Sequence, residues 1–268
     1  MMLRLTRCEC QWLLKLLLPL FISRFKVNMD EAKDPDWRNY ASFNYFFTRE
    51  LKEDARKICS GKKSLACPVD GAISQMGKIN NDLIFQAKGH AYSLTQLLGD
   101  REDLAEAFKN GQFNTIYLSP KDYHRIHMPI EGTLKEMIHV PGELFSVNPT
   151  TVENVPALFA RNERVICLFD TAAGPMAMIL VGAIFVASIE TVWHGVVTPP
   201  TGKSIQTWTY DDEGMNKSVT LAKGEEMGRF NMGSTVILLY PENVMEWEKD
   251  VCAERVVKLG EKIGKLLH

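Results

Sequence analysis

A serine directly follows a glycine at Gly233-Ser234, inside the run Gly228-Arg229-Phe230-Asn231-Met232-Gly233-Ser234-Thr235. The strand-like stretch Val236-Ile237-Leu238-Leu239-Tyr240 comes next. This order suits a backbone that cuts itself. Glycine has no Cβ, so the bond tolerates strained conformations and its carbonyl can be approached closely. The serine hydroxyl could attack that carbonyl and turn the amide into an ester. Elimination rather than hydrolysis of the ester would leave residue 234 as an N-terminal pyruvoyl group, a carbonyl able to form a Schiff base with an amine. Read alone, Gly-Ser-Thr is equally a plain turn.

The self-cutting reading needs a base. Six histidines are present. His268 is terminal, His90 and His139 sit in ordinary contexts, and His194 borders a turn at Val192-Trp193-His194-Gly195. The dense cluster is Tyr117-Leu118-Ser119-Pro120-Lys121-Asp122-Tyr123-His124-Arg125-Ile126-His127-Met128-Pro129. Two histidines three apart between prolines can share one face of a short helical turn. No third ligand at zinc spacing accompanies them, so no metal is expected. An acid is offered by Cys67-Pro68-Val69-Asp70-Gly71, where Asp-Gly is also a common turn signal. Asp70, His127 and Ser234 thus supply an acid, a base and a hydroxyl, and chain order puts no constraint on such a triad.

These residues need elements to position them. A chain of 268 residues with 46% apolar content can build one large core or two small ones. A net charge of −2 without a basic aromatic stripe argues against nucleic acid. The six scattered cysteines read as reduced thiols in a cytosol-facing protein. Trp12 to Ile22 is intensely apolar, yet too short to span a bilayer. With Arg4, Arg7, Arg24 and Lys26 flanking it, the run suits a helix lying in an anionic membrane surface. A core helix is the other reading of it.

One or two helices are expected between Asp34 and Leu51, and another from Ser93 to Lys109 with Ser93 as its cap. Strands are expected at 115–118, 164–169, 178–186 and 234–240, with Gly71, Gly132, Gly142, Gly174 and Gly195 marking turns. Residues 246–267 fit helix or strand.

The chain closely resembles the bacterial-type, membrane-associated phosphatidylserine decarboxylases. The resemblance is carried by Pro68-Val69-Asp70-Gly71, by Tyr117 to Pro129, by Pro141-Gly142-Glu143-Leu144-Phe145-Ser146-Val147-Asn148, by Leu158 to Arg164 and by Gly228 to Thr235. It spans about residues 29 to 240. The family usually has leucine where Met232 stands, a swap that conserves volume and apolarity.

The resemblance implies an α+β fold, with N-terminal helices before a β-rich, mostly antiparallel, sandwich-like catalytic core. Residues 1–51 would be the membrane-associating segment and 52–268 the catalytic domain, self-cleaved into 1–233 and 234–268. Asp70, His127 and Ser234 would form the processing relay, with Gly233-Ser234 as the cleavage site. The pyruvoyl group from Ser234 would be the cofactor. Phosphatidylserine would lose carbon dioxide through a Schiff base to give phosphatidylethanolamine. His124 would reprotonate the product carbon, Tyr123 and Arg125 would neighbour the carboxylate or phosphate, and Phe145 would line the head-group pocket. Partners would be phosphatidylserine in an anionic membrane, the cleaved short chain and a second copy in a homodimer, at the cytoplasmic face of a bacterial inner membrane.

Three rivals stand beside this reading. A serine hydrolase would use Asp70, His127 and Ser234 without forming a pyruvoyl group, although it would lack a Gly-x-Ser-x-Gly elbow. A non-catalytic membrane module would use the motifs only as turns. A pyruvoyl decarboxylase of a soluble amino acid would not need the Trp12–Ile22 segment.

Overall fold

The computed structural model describes residues 6–183, 188–198, 204–211, 216–231 and 234–267. Met232, Gly233 and His268 lie outside the described residues, so the cleavage bond is seen only from its serine side.

Helix α1 (Gln11–Phe25) forms from the leucine-rich run, which favours helix strongly enough to accommodate Pro19 inside it. It ends at Lys26, whose positive φ closes the helix. A 3-10 turn (Trp37–Asn39) and the short helix α2 (Phe43–Phe47) follow, the latter capped by Ser42 accepting from the Tyr45 amide. Leu14 and Leu18 of α1, Val27 and Phe46 form a small core of their own. Phe21 is its hub, packing edge-on against Phe43, Phe46 and Phe47 at ring separations of 5.0, 5.9 and 6.3 Å.

The rest of the described chain is mainly strand. In order these are β1 (Ser64–Ala66), β2 (Gly71–Lys78), β3 (Leu83–Ala87), β4 (His90–Ser93), β5 (Gln112–Leu118), β6 (Arg125–His127), β7 (Gly132–Val140), β8 (Arg164–Thr171) and β9 (Gly174–Val181). Then come β10 (Ile189–Thr191), β11 (Gly195–Val196), β12 (Gln206–Thr209), β13 (Val219–Leu221), β14 (Glu226–Phe230), β15 (Ser234–Tyr240), β16 (Met245–Trp247), β17 (Val256–Val257) and β18 (Lys262–Leu266). The undecided C-terminal stretch is therefore strand, and Gly264, which weakens a helix, sits tightly packed within β18. The Ser93–Lys109 helix is split in two, α3 (Leu94–Leu97) and α4 (Glu102–Phe108), because Gly99 and Asp100 take positive φ between them. Ser93 does cap the first. Two further short helices, α5 (Pro149–Asn154) and α6 (Leu158–Arg161), lie between β7 and β8.

A sheet ordered β12-β7-β8-β9-β15-β5-β2-β17, with β13 also on β7, forms the body, and a second sheet runs β11-β10-β14-β6. Every pairing between these strands is antiparallel, giving the expected α+β class with a β-rich core. β15 lies between β9 and β5, and all seven of its residues are buried. Its continuous apolar run, rather than an alternating one, is what burial on both faces requires. Gly71 opens β2 where a Cβ would stand 2.4 Å from the Tyr117 carbonyl oxygen, so that position admits only glycine without moving β5.

The chain passes from one sheet to the other between β5 and β6 and again between β14 and β15. β5 leads through 119–124 into β6, and β14 ends at Phe230 in one sheet while β15 begins at Ser234 in the other. Ser234 is paired with Leu118 at one end of this double crossing, and the Phe230 amide bonds the His124 carbonyl at the other. The topology therefore makes the histidine segment a direct continuation of the strand paired with the serine.

Candidate active site

Ser234 is fully buried at the first position of the central strand, and its Oγ has no hydrogen-bond partner among the described residues. A buried hydroxyl without a partner costs free energy, which makes it a marked position rather than a turn residue. Asn231, three residues earlier, is tied down on all sides. Its side chain donates to Ser188 Oγ and to Glu190 Oε1 (3.0 Å) and accepts from Asn44 Nδ2 (3.0 Å), while its amide bonds the Ser188 carbonyl. Arg229 and Arg7 pair with the same Glu190. Asn231 is thus anchored to the β10 end of the second sheet and to α2.

His124 and His127 do not share a helical turn. Asp122 closes the preceding turn by accepting from the Ser119 amide and hydroxyl, after which the chain is extended. Side chains then alternate: His124, Ile126 and Met128 point inward, while Arg125 and His127 reach a groove of about 490 Å³ that Tyr123 also lines. Spacing of three in a strand puts the two imidazoles on opposite faces.

Each imidazole has a definable tautomer. His124 Nδ1 lies 2.8 Å from the Asp122 carbonyl oxygen, and His127 Nδ1 lies 2.8 Å from that of Gly224. A carbonyl only accepts, so Nδ1 carries the proton in both rings and Nε2 presents a lone pair. Tyr123 Oη, 3.1 Å away, donates to His127 Nε2. His124 Nε2 is buried and has no partner among the described residues. The His124 ring packs on Phe47 at 4.0 Å, which completes an aromatic path from α1 through Phe21 and Phe47. Burial pushes its pKa down to about 3, against the Asp122 carbonyl bond and the charge of Asp70. Burial also lowers that of His127, partly offset by the Gly224 carbonyl. Both rings are neutral near pH 7.

Asp70 does not bond either histidine. Its oxygens accept from Arg56 Nε (2.9 Å) and Nη2, from Lys258 Nζ (3.2 Å) and from the Leu259 amide (2.9 Å). Arg56 also grips Glu31 at 2.6 Å. Burial works against the Asp70 charge, but Arg56, the Leu259 amide and Lys258 outweigh it and hold the pKa below the usual carboxylate range. Its link to His127 is through the backbone, since the His127 amide bonds the Pro68 carbonyl at 2.9 Å. The structure thus gathers Tyr123, Arg125 and His127 around the groove with Asp70 in the adjoining cavity, puts His124 on the inward face of the same segment, and pairs Ser234 with Leu118 where that segment begins, without a continuous Asp70–His127–Ser234 hydrogen-bond chain. Arg125 is occupied by Glu226, Glu50 and the Thr48 carbonyl. Phe145 stands apart from this groove, beneath the Arg161 guanidinium at 4.6 Å, and its amide is held by Asn162. Among the described residues no group of three His, Cys, Asp or Glu is placed to hold a metal ion.

Arg56 and Lys258 carry no motif that singles them out in the sequence, and Asn231 stands in the Gly228–Thr235 run without a signal of its role. Their partners are 14, 188 and at least 41 residues away, so only the folded chain reveals them. Asp70→Asn should leave the nearly buried Arg56 guanidinium short of its main partner and lower stability by about 3–5 kcal/mol, read as a large fall in Tm. Because the folded-state pKa is depressed, this contribution is complete above the ordinary aspartate value and is lost only as pH falls through the lowered one.

A model of the phosphatidylserine decarboxylase family matches residues 43–265. A phosphatidylserine decarboxylase proenzyme of Marinobacter nauticus is 59% identical over 246 residues, covering 92% of this chain and 85% of that protein. Similar proenzymes of Pseudoalteromonas atlantica and Psychromonas ingrahamii are 58% and 54% identical, covering 93% and 96% of this chain and 87% and 89% of theirs. The clustered histidines, the buried serine and this likeness along almost the whole length lead to one conclusion: the chain belongs to the phosphatidylserine decarboxylase family, a family of carboxy-lyases.

Proposed function

We propose that this chain is a proenzyme that cuts its own backbone between Gly233 and Ser234 and then converts phosphatidylserine to phosphatidylethanolamine and carbon dioxide. The observation that carries the reading is the buried Ser234 Oγ, without a partner among the described residues, at the head of the central strand and paired with Leu118, from which the chain runs on to the two histidines.

Ser234 Oγ attacks the Gly233 carbonyl while a base takes its proton, and the peptide nitrogen becomes the amine of an ester-linked residue 234. Loss of the Ser234 α-proton then expels the Gly233 carboxylate. The dehydroalanine left behind takes up water and releases ammonia, leaving a pyruvoyl group. The new short chain, 234–268, supplies β15 to β18, and these pair with β9, β5, β2 and β1 of the long chain, which supports a processed pair that stays together. A pyruvoyl group at residue 234 would be held at the head of β15 and would supply an electron sink for the decarboxylation.

In this reading His127 is the base for Ser234, with Asp70 favouring its protonated form through the charge it exerts there. Tyr123 Oη must first release Nε2. A second reading has its own support: His124 already offers an unpartnered Nε2 lone pair, so it could serve Ser234 directly instead of handling the proton in turnover. Tyr123 and Arg125 lie on the same side as His127 and would meet the polar head group, whereas Phe145 would act through Arg161. A carbonyl-reactive hydrazide should label only the short chain, and an unlabelled short chain would overturn the cofactor assignment.

Membrane attachment is part of the proposal. No helix among the described residues is long and apolar enough to cross a membrane. Helix α1 instead turns Trp12, Leu16 and Leu20 outward, 71%, 63% and 64% exposed, on successive turns beside exposed Lys15, Arg24 and Lys26. Such a ridge suits the surface of an anionic leaflet, and the six unpaired cysteines suit the cytoplasmic side. Leu16→Glu with Leu20→Glu should lower partitioning onto phosphatidylglycerol-containing vesicles by at least about tenfold, since burying one leucine is worth roughly 1.5–3 kcal/mol. Sedimentation with vesicles checks this, and unchanged partitioning would remove α1 from the membrane contact. The homodimer implied by the resemblance belongs to the same reading, and the mass in solution tests it.

A further inference from the structure

A cavity of about 190 Å³ opens beside the groove, between the C-terminal end of α1 and the β5–β6 crossing. Five cations line it (Lys26, Arg49, Arg56, Lys121 and Lys258) against three carboxylates (Glu31, Asp70 and Asp122). The carboxylates are already engaged. Arg56 takes Glu31 and shares Asp70 with Lys258, and Asp122 Oδ2 accepts from the Ser119 amide and hydroxyl. Three cations are left without a carboxylate among the described residues: Lys26, Lys121 and Arg49.

Arg49 is the unusual one. Only 4% exposed, it donates from Nη2 to the Lys121 carbonyl, and its Nε and Nη1 have no acceptor among the described residues. The Phe46 ring, 5.5 Å from the guanidinium carbon, covers one side. A guanidinium is charged at any ordinary pH, and leaving it buried with most of its donors unused is costly. The arrangement becomes favourable when an oxyanion with several acceptors sits among Arg49, Lys26 and Lys121. Tyr123 lines both this cavity and the His127 groove, so an anion held here is next to the candidate active site. Lys26 closes the helix that carries the Trp12–Leu16–Leu20 ridge, which sets the cavity beside the proposed membrane-facing element.

We propose that this cavity is a phosphate-binding site, with Arg49 as its buried anchor and Lys26 and Lys121 as its outer donors. Its ligand is a phosphate group, carried by a phospholipid head or free in solution. The inference rests on the preceding functional reading only in expecting the lipid source, because the substrate of that reading carries a phosphodiester.

Isothermal titration of the purified full chain with a short-chain phosphatidylglycerol, a phosphodiester without an amine, and separately with inorganic phosphate tests the site. Saturable binding is expected, weakening as salt rises, falling by about tenfold in Lys121→Gln and lost in Arg49→Gln. Binding of the phosphatidylglycerol alone assigns the site to a lipid head group, and binding of inorganic phosphate assigns it to phosphate from any source. Either supports the proposal. Binding of neither probe, or binding that Lys121→Gln and Arg49→Gln leave unchanged, overturns it. Lys26→Gln and Lys121→Gln are exposed changes that keep the test decisive should Arg49→Gln fail to fold. Cleavage into two chains, followed on the same samples, reports separately on the processing reading.

Discussion

Ser234→Ala is expected to yield one uncleaved chain of 30.3 kDa that releases no carbon dioxide from phosphatidylserine. The effect is large because one atom serves both stages: without Oγ there is no ester, and without the ester there is no carbonyl to receive the substrate. Loss of a nucleophile alone costs on the order of 10⁶ in rate where it has been dissected, and here the cofactor is lost with it. The fold should not suffer. Removing a buried hydroxyl that has no partner among the described residues is neutral or stabilising, so Tm should hold or rise while activity disappears. A Ser234→Ala chain that still splits would place the cut, or its chemistry, elsewhere. One that stays whole but hydrolyses esters would be equally damaging, since neither hydrolysis nor decarboxylation should survive.

The histidine variants should separate the two stages. His127→Ala is expected to stay uncleaved, and therefore inactive, because the base for Ser234 is gone. His124→Ala is expected to cleave and then to lose decarboxylation by about 10²–10⁴-fold, the usual worth of a positioned proton-transfer group. Gel analysis and carbon dioxide release, run on the same samples, read the two effects apart. The opposite pattern, with His124→Ala uncleaved and His127→Ala cleaved, would make the free Nε2 of His124 the base. Processing should also persist in mild acid better than an ordinary histidine base would allow. Burial lowers the pKa of both imidazoles in the folded chain, that of His124 to about 3, so the proton-accepting form persists below the ordinary histidine value. The unfolded chain takes up those protons earlier, so stability should fall as pH drops below about 6.5.

The strands and the family were the legible parts of the sequence. Continuous apolar runs gave β8, β9 and β15, and the Gly233-Ser234 pair with its aspartate and histidines pointed to self-processing. Local spacing misled at His124 and His127, where a separation of three suggests a helical turn. Pairing with β14 extends that segment instead, and two bonds to the backbone of Asp122 and Gly224 set the tautomers. The Ser93 cap was readable, but the break after Leu97 depends on Gly99 and Asp100 taking positive φ. Least legible was the neighbourhood of Asp70. A hydrogen bond to histidine is the natural expectation, yet Arg56 and Lys258 come from distant segments and claim both oxygens. Long-range charge pairing leaves no periodic trace in a sequence.

The intact mass of the wild-type protein under denaturing conditions, measured after time for maturation, tests the central claim most directly. The account predicts two chains, 1–233 with an ordinary carboxyl end and 234–268 lighter by one ammonia than a serine-terminated fragment. A single full-length chain, or a short chain that begins with an intact serine, would contradict it.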